Sequence, residues 1–162
     1  MYYIKYFFIT SILGFFLETI VCTNYESGIL YGPWTPIYGI GSIIIIYVSD
    51  KILKKKNLSI IKKLIIVFTS CTLLLSLGEL IGGLAIEKIF KITFWDYTNY
   101  KYNIGKYICL EMSLVWGIAS IIFVCILRPI IDIIIKKIPN IVAYILSILF
   151  VIDIILTIIK RM

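Results

Sequence analysis

The sequence predicts an all-α fold, a polytopic membrane helix bundle of about five transmembrane helices. Of its 162 residues, 61% are hydrophobic and the mean hydropathy is +1.04, whereas soluble domains are roughly 45–50% apolar. A hydrocarbon core roughly 30 Å thick needs about 20 apolar residues per helix, so a chain of this length accommodates about five spans joined by short loops. We therefore expect residues 1–162 to form a single integral membrane domain.

Five apolar runs predict the helices, at about residues 6–22, 36–49, 64–86, 107–127 and 141–159. Pro36 suits the first turn of the second helix, because that turn needs no backbone N–H donor there. The second run is short for a complete span. A re-entrant loop over residues 30–41, which are rich in glycine and proline, is the alternative to a conventional turn there. Arg128 and Pro129 are expected to end the fourth helix.

Lysines between the second and third helices predict the orientation of the chain. Residues 50–63 contain six lysines and one aspartate, and loops rich in lysine and arginine remain in the cytoplasm. This places the N-terminus inside and segments 23–35 and 87–106 outside, with ten basic residues inside and six outside. The net charge of +7 then indicates contact with anionic lipid headgroups rather than nucleic acid.

Three helices carry small or polar residues at spacings of three or four, which is typical of a face turned toward other helices or a cavity. These residues are Thr10, Gly14, Glu18 and Cys22 in the first helix, Thr72, Ser76, Glu79, Gly83 and Glu87 in the third, and Cys109, Ser113, Trp116 and Ser120 in the fourth. For the small residues we expect close helix packing.

Glu18 and Glu79 are the strongest candidates for function, because a carboxylate at mid-membrane depth costs about 2.5 kcal/mol or more on insertion scales. If their stripes face each other, the two carboxylates line one outward-opening pocket that holds a shared proton or a cation. The alternative is that each is bonded to a tyrosine or a helix end. Asp153 in the fifth helix is a third acid at membrane depth and could pair with a lysine.

Two outer segments complete the candidate substrate or ion pocket. The first contributes Tyr31, Gly32, Pro33, Pro36, Tyr38 and Gly39, and the second contributes Trp95, Asp96, Tyr97 and Asn103, next to Ser113 and Trp116 of the fourth helix. An interfacial aromatic belt explains the rings but not the glycine and proline spacing of the first segment. For Asp96, capping or loop-structuring hydrogen bonds are the commonest role, with cation coordination as the alternative.

No residue pattern indicates a metal, a cofactor or a catalytic group. The sequence has no histidine, and its four cysteines lie in or beside apolar runs without a CxxC spacing. Cys109 and Ser113 lack a base that would activate them. The residues favour a non-enzymatic function, although an enzyme acting on a lipid-linked or small apolar substrate is retained as an alternative.

Several of these residues occur in the order found in one family. The chain resembles the CmpB-like bacterial family labelled putative ABC-transporter permeases (type IV), over roughly residues 10–130. The resemblance is carried by Glu18, the segments 30–33 and 36–39, Glu79, the segment 95–97, Asn103, Gly105, the segment 108–110, Ser113 and the pair 116–117. The resemblance implies a multi-pass protein of the bacterial cytoplasmic membrane. Two departures are Trp34, where a smaller or different residue is expected, and Ser27, where an arginine is expected.

The leading hypothesis is a permease-like transporter subunit with an outward-facing acidic pocket. The chain has no GxxxxGK[ST] phosphate-binding loop, so transport driven by ATP requires a separate ATPase chain, for which the lysine-rich loop is the expected docking element. An accessory subunit of a larger membrane complex is a further alternative. Its partner would be another membrane protein.

Overall fold

The computed structural model describes residues 1–21 and 28–161. Cys22 and Ser27 lie outside the described residues. The helices are α1 (Tyr2–Val21), α2 (Pro36–Leu53), α3 (Ile60–Phe90), α4 (Leu110–Ile122), α5 (Arg128–Lys137) and α6 (Asn140–Arg161), and a π-helical segment, Phe123–Leu127, lies between α4 and α5. Two short antiparallel strands, β1 (Asn103–Ile104) and β2 (Ile108–Cys109), precede α4.

The described residues contain five helices that are long and apolar enough to cross a membrane: Tyr2–Ile20, Pro36–Leu53, Ile60–Phe90, Leu110–Lys137 and Asn140–Lys160. Only 17% to 39% of the most apolar window of each is buried. The apolar remainder is a surface suited to lipid. The predicted all-α membrane bundle of about five spans is confirmed.

The chain forms two compact units. Unit 1 consists of residues 1–43 and 130–162, and unit 2 consists of residues 44–129. The first boundary lies within α2 and the second lies within α5. Of the two acids singled out from the sequence, Glu18 belongs to unit 1 and Glu79 belongs to unit 2.

Unit 1 has an aromatic centre made by α1, the segment before α2, and α6. The rings of Phe8, Trp34 and Phe150 lie 5.8 to 6.1 Å apart in edge-to-face arrangements, the geometry that aromatic quadrupoles favour. Trp34 is only 6% exposed. Trp34, where the family resemblance predicts a smaller or different residue, is therefore a packing residue of this unit.

Unit 2 is built on the close packing of α3 against α4. Gly117 lies against Thr72 and Phe68, and the hydroxyl of Ser76 donates a 2.7 Å hydrogen bond to Ser113. Small residues let the two backbones approach, and buried hydroxyl groups find partners across the interface. The predicted stripes of α3 and α4 thus mark packed faces, and Ser76, Glu79, Gly83, Ser113 and Ser120 are all buried.

Pro129 does not end the fourth helix, in contrast to the expectation from the sequence. The helix continues from Leu110 to Lys137. Proline lacks an N–H, and its ring clashes with the carbonyl four residues earlier in a regular α-helix. Here the preceding turn is π-helical, and the Arg128 N–H reaches the carbonyl of Phe123, five residues back. The wider turn accommodates the proline.

The helices α2 and α3 are longer than predicted, and their additional turns contain charged residues. Asp50 and Lys51 lie in the last turns of α2, while Lys62 and Lys63 lie in the first turn of α3. The side chain of Lys63 donates a 2.8 Å hydrogen bond to the carbonyl of Leu53 and so joins the two helix ends. A long lysine side chain can place its ammonium group in water while its backbone remains helical, so a charged residue does not by itself end a helix. Within segment 30–41, residues 36–41 are helical, because α2 begins at Pro36 as the sequence predicts.

Candidate functional site

Glu18, near the end of α1, contacts the beginning of α2 within unit 1. It is half-buried, accepts a 3.4 Å hydrogen bond from the Thr35 hydroxyl, and has a second side-chain hydrogen bond with Tyr38. The Tyr38 ring lies directly on Gly14, where a Cβ atom would overlap it. The absence of a side chain at Gly14 therefore positions the tyrosine beside the carboxylate.

The backbone N–H groups of Tyr31 and Gly32 bind Asp153 of α6, and neither residue is hydrogen-bonded to Glu18 among the residues that the structure describes. The Asp153 carboxylate accepts bonds from the backbone N–H groups of Tyr31 (3.0 Å) and Gly32 (2.8 Å) and from the Trp34 indole (2.5 Å). Asp153 is 7% exposed. Its partners are this loop rather than the lysine that the sequence suggested. Three donors converging on one carboxylate hold the loop against α6.

Pro33 is exposed and Pro36 forms the first turn of α2, as its position in the sequence predicted. Gly39 is buried one turn further on, against Ser11 and Phe7 of α1. Ser42 lies on the same face, 2.9 Å from the hydroxyl of Thr10. These residues shape the junction between α1 and α2.

Glu79 in α3 is the most buried carboxylate among the described residues, with 4% exposure. The Tyr97 hydroxyl donates a 2.9 Å hydrogen bond to its Oε1 atom, and the Trp116 indole of α4 is a second polar neighbour. Within the part of the chain that the structure describes, Oε2 has no hydrogen-bond partner. Burial, followed by the neighbouring Glu79, raises the pKa of Tyr97, so this phenol remains protonated and donates.

Trp95 lies against α3 near Glu79. Its ring packs 3.6 Å from where a Cβ atom on Gly82 would lie and edge-to-face on Tyr107, with ring centres 5.9 Å apart. The Tyr107 ring in turn covers Gly83. Among the described residues, the buried indole N–H of Trp95 has no partner.

Asp96 and Asn103 organise the loop between α3 and α4. Asp96 accepts a 2.8 Å hydrogen bond from the backbone N–H of Thr98, and this bond lowers the pKa of the exposed Asp96 carboxyl. Asn103 donates a 3.0 Å hydrogen bond to the carbonyl of Gly105, which adopts a positive φ of 66° in the turn between β1 and β2. Both residues have local loop partners, in line with the commonest role expected for Asp96.

Cys109 and Ser113 are held as structural groups. The Cys109 thiol caps α4 by accepting a 3.4 Å bond from the Met112 N–H, and burial raises the pKa of this thiol. A protonated, buried thiol is a poor nucleophile. Ser113 accepts its bond from Ser76. No group of three or more His, Cys, Asp or Glu side chains that could hold a metal occurs within residues 1–21 and 28–161.

The predicted site residues thus form two groups, one in each unit. Unit 1 contains Glu18, Tyr31, Gly32, Pro33, Pro36, Tyr38 and Gly39, and unit 2 contains Glu79, Trp95, Asp96, Tyr97, Asn103, Ser113 and Trp116. A pocket shared by Glu18 and Glu79 stays a prediction. Asp153 deserves more weight than the sequence alone assigns to it. The feature that indicates it is an acidic residue inside an apolar helix.

Together, these features define a multi-pass membrane helix bundle with buried acidic residues. The chain belongs to the family described as "Putative ABC-transporter type IV" (ABC_trans_CmpB), whose model matches residues 5–158. The match is longer than the resemblance over residues 10–130 and includes most of α6. No curated protein and no solved structure matches the chain significantly.

Proposed function

We propose that this chain is a membrane subunit of an ABC-type transporter in the bacterial cytoplasmic membrane, with its N-terminus inside and an acidic site reached from outside. The family match supports the transporter class. The observation that carries the acidic site is Glu79, a carboxylate that is 4% exposed and has one oxygen without a protein partner among the described residues.

The neighbours of Glu79 favour a ligand with positive charge. Tyr97 donates to the carboxylate, and an indole N–H such as that of Trp116 can only donate. Burial away from water opposes ionisation of this carboxyl group and hydrogen-bond donors only partly offset that cost, so an ionised Glu79, which accepts at both oxygens, needs a compensating positive charge. A cation, or the cationic group of a solute, would satisfy the open Oε2 atom and offset the cost of burying the charge.

The proposed ATPase partner docks on the turn between α2 and α3. Lys54, Lys55 and Lys56 are exposed there, and the turn is closed by the bond from Lys63 to the carbonyl of Leu53. A rigid turn that presents like charges suits an acidic patch on a cytoplasmic partner. In the proposed topology this turn lies on the inner side of the membrane.

The test is purification in mild detergent from the native host, followed by identification of bound chains by mass spectrometry and an ATP hydrolysis assay. We expect a chain with a GxxxxGK[ST] loop to co-purify and to hydrolyse ATP. Replacing Lys54, Lys55 and Lys56 together with alanine should reduce its recovery at least tenfold. The matched control replaces three lysines of the proposed outer side, Lys88, Lys91 and Lys101, and should leave recovery unchanged.

Two results would contradict the proposal. The first is a protein that purifies without any ATPase chain, alone or with an unrelated membrane protein, as the enzyme and accessory-subunit alternatives predict. The second is an ATPase retained equally by both triple variants, which would exclude the turn as its docking element.

A further inference from the structure

The first two long helices and the next two resemble each other in sequence. Phe7, Ser11 and Glu18 of α1 correspond to Phe68, Thr72 and Glu79 of α3, each pair being 61 positions apart. The segment YGIGSII at 38–44 corresponds to WGIASII at 116–122, 78 positions further on, with five of seven residues identical. We call α1 with α2 the first hairpin and α3 with α4 the second hairpin.

The corresponding glycines make the same contacts in each hairpin. Gly39 of α2 packs against Phe7 and Ser11 of α1, and Gly117 of α4 packs against Phe68 and Thr72 of α3. Because these partners are themselves at corresponding positions, the two hairpins share a helix–helix register as well as a sequence pattern.

The hydroxyl groups one turn later also correspond. Ser42 donates a 2.8 Å bond to the carbonyl of Gly39, and Ser120 donates a 2.6 Å bond to the carbonyl of Gly117. Across the helix pair, Ser42 contacts Thr10 at 2.9 Å. Ser120 is hydrogen-bonded to Cys71, the residue that corresponds to Thr10.

The carboxylates occupy the same place in this scheme. Glu18 is hydrogen-bonded to Tyr38, and Glu79 has Trp116 as a polar neighbour. In both hairpins an acid on the first helix thus meets an aromatic ring with a polar hydrogen, directly before the packing glycine of the second helix. Sequence, helix register and polar contacts agree, which a chance similarity between apolar helices would not produce.

We infer that the chain contains a tandem repeat of one helical hairpin, and that Glu18 and Glu79 are equivalent positions, each accepting one monovalent cation. This inference rests on the proposed function, because it identifies the ligand class of the acidic site. The open Oε2 atom of the buried Glu79 indicates the ligand in the second hairpin, and the repeat extends the assignment to the first. An inorganic ion and an ammonium group share the required chemistry.

The two sites differ in strength. Glu79 is 4% exposed and has Tyr97 as an additional donor, whereas Glu18 is half-buried and has the longer 3.4 Å bond from Thr35. Charges interact more strongly where water is excluded. The site at Glu79 is therefore the tighter of the two.

The experiment counts bound cations on the purified full-length chain by equilibrium dialysis. One arm uses rubidium-86 as the inorganic ion and the other uses carbon-14 methylammonium as the ammonium group. We expect two equivalents of one probe per wild-type chain, one equivalent after Glu18→Gln or Glu79→Gln, and none after both changes. Glu87→Gln, the same change two turns further along α3, should retain two equivalents.

A second pair of variants tests the repeat itself. Exchanging the aromatic partners, with Tyr38→Trp and Trp116→Tyr in one chain, should preserve both equivalents because each residue already serves in the other hairpin. Tyr38→Leu should lose only the weaker site, at Glu18, and so should bind one equivalent. This variant tests the inference even if Glu79→Gln does not give a monodisperse protein.

Several outcomes would overturn the inference: a wild-type chain that binds neither probe, a single equivalent that only one glutamate controls, or an exchanged chain that loses both sites. If any of these occurs while an ATPase chain still co-purifies, the repeat-based cation sites are wrong and the transporter proposal stands. If the cation counts are as expected and no ATPase is found, the transporter proposal alone is wrong.

Discussion

The hydroxyl of Tyr97 donates a 2.9 Å hydrogen bond to Oε1 of Glu79, and so joins the loop after α3 to the middle of that helix within unit 2. The backbone N–H of Tyr97 also donates a hydrogen bond to the carbonyl of Lys106, later in the same loop. A buried carboxylate and a loop residue thereby position each other, and any ligand at Glu79 meets a preorganised oxygen.

Tyr97→Phe removes this bond and leaves the buried Oε1 atom of Glu79 without its donor, so it should lower the free energy of unfolding by about 1–3 kcal/mol, the usual cost of an unsatisfied buried acceptor. Since the pKa of Tyr97 is raised on folding, its contribution is complete below the unfolded pKa near 10 and is lost only as pH rises above that value. Thermal unfolding in detergent at pH 6 and pH 9 should therefore show the same deficit. Tyr100→Phe, a change at an exposed neighbouring ring, is the control and should change stability little.

Asp153→Asn should release the loop that precedes α2. The amide retains one acceptor oxygen in place of the two that bind Tyr31, Gly32 and Trp34. In a background with Trp95 and Trp116 changed to phenylalanine, fluorescence reports on Trp34 alone, and we expect a red shift and faster quenching by iodide. Thr157→Val, which removes only a 3.3 Å neighbour of the same carboxylate, should shift the spectrum much less. An unchanged spectrum for the asparagine variant would show that Asp153 does not hold the loop.

Gly39→Ala and Gly117→Ala should each lower thermal stability, because a Cβ atom would lie only 2.5 Å from the Phe7 ring or 2.6 Å from the Phe68 ring. Overpacking of this kind typically costs about 1–3 kcal/mol. Gly78→Ala is the matched control: it also lies inside a helix, but nothing lies within 4 Å of its Cβ position, so the higher helix propensity of alanine should raise stability by up to about 1 kcal/mol. Scanning fluorimetry in detergent measures all three, and a stabilised Gly117→Ala would refute the packing described for the second hairpin.

Acidification should open the turn at Asp96. Because the folded pKa of Asp96 is lowered by the Thr98 N–H, the stabilisation is present above the unfolded pKa of about 3.9 and is lost as pH falls through the folded value. Hydrogen exchange of the Thr98 amide, corrected for intrinsic rates, should be slow at pH 6 and faster near pH 3. Asp96→Ala should abolish this dependence. The Tyr100 amide, which donates to the carbonyl of Tyr97, provides the internal reference.

Arg128 and Asp50 form an ion pair of 2.8 Å within unit 2, and Arg128 also donates a 3.1 Å bond to Ser49. Arg128→Asp or Asp50→Arg alone places like charges together and should lower the unfolding temperature and the yield of monodisperse protein. The double exchange should recover part of both losses. Equal loss in the single and double variants would mean that the pair contributes no coupling energy.

The sequence was sufficient for the fold class, the five spans, the family and the packed faces of the helices. Composition and periodicity are properties of the residues themselves. A chain of this hydropathy belongs in a bilayer, where the backbone N–H and C=O groups must be hydrogen-bonded within the protein, as they are in helices. The roles of Pro36 as the start of α2 and of Asp96 in its loop were likewise readable, because both are decided by neighbours only a few residues away.

Only the tertiary structure decided which polar groups meet. Asp153 binds a loop about 120 residues earlier in the chain, Tyr97 reaches back to Glu79, and the helix continues through Pro129 because a π-turn precedes it. The hairpin repeat is visible in the amino-acid sequence, but the many serines, glycines and isoleucines allow several alternative alignments of the two hairpins. The contacts of Gly39 and Gly117 selected one of them, since helix packing specifies which residues of two helices face each other and apolar composition does not.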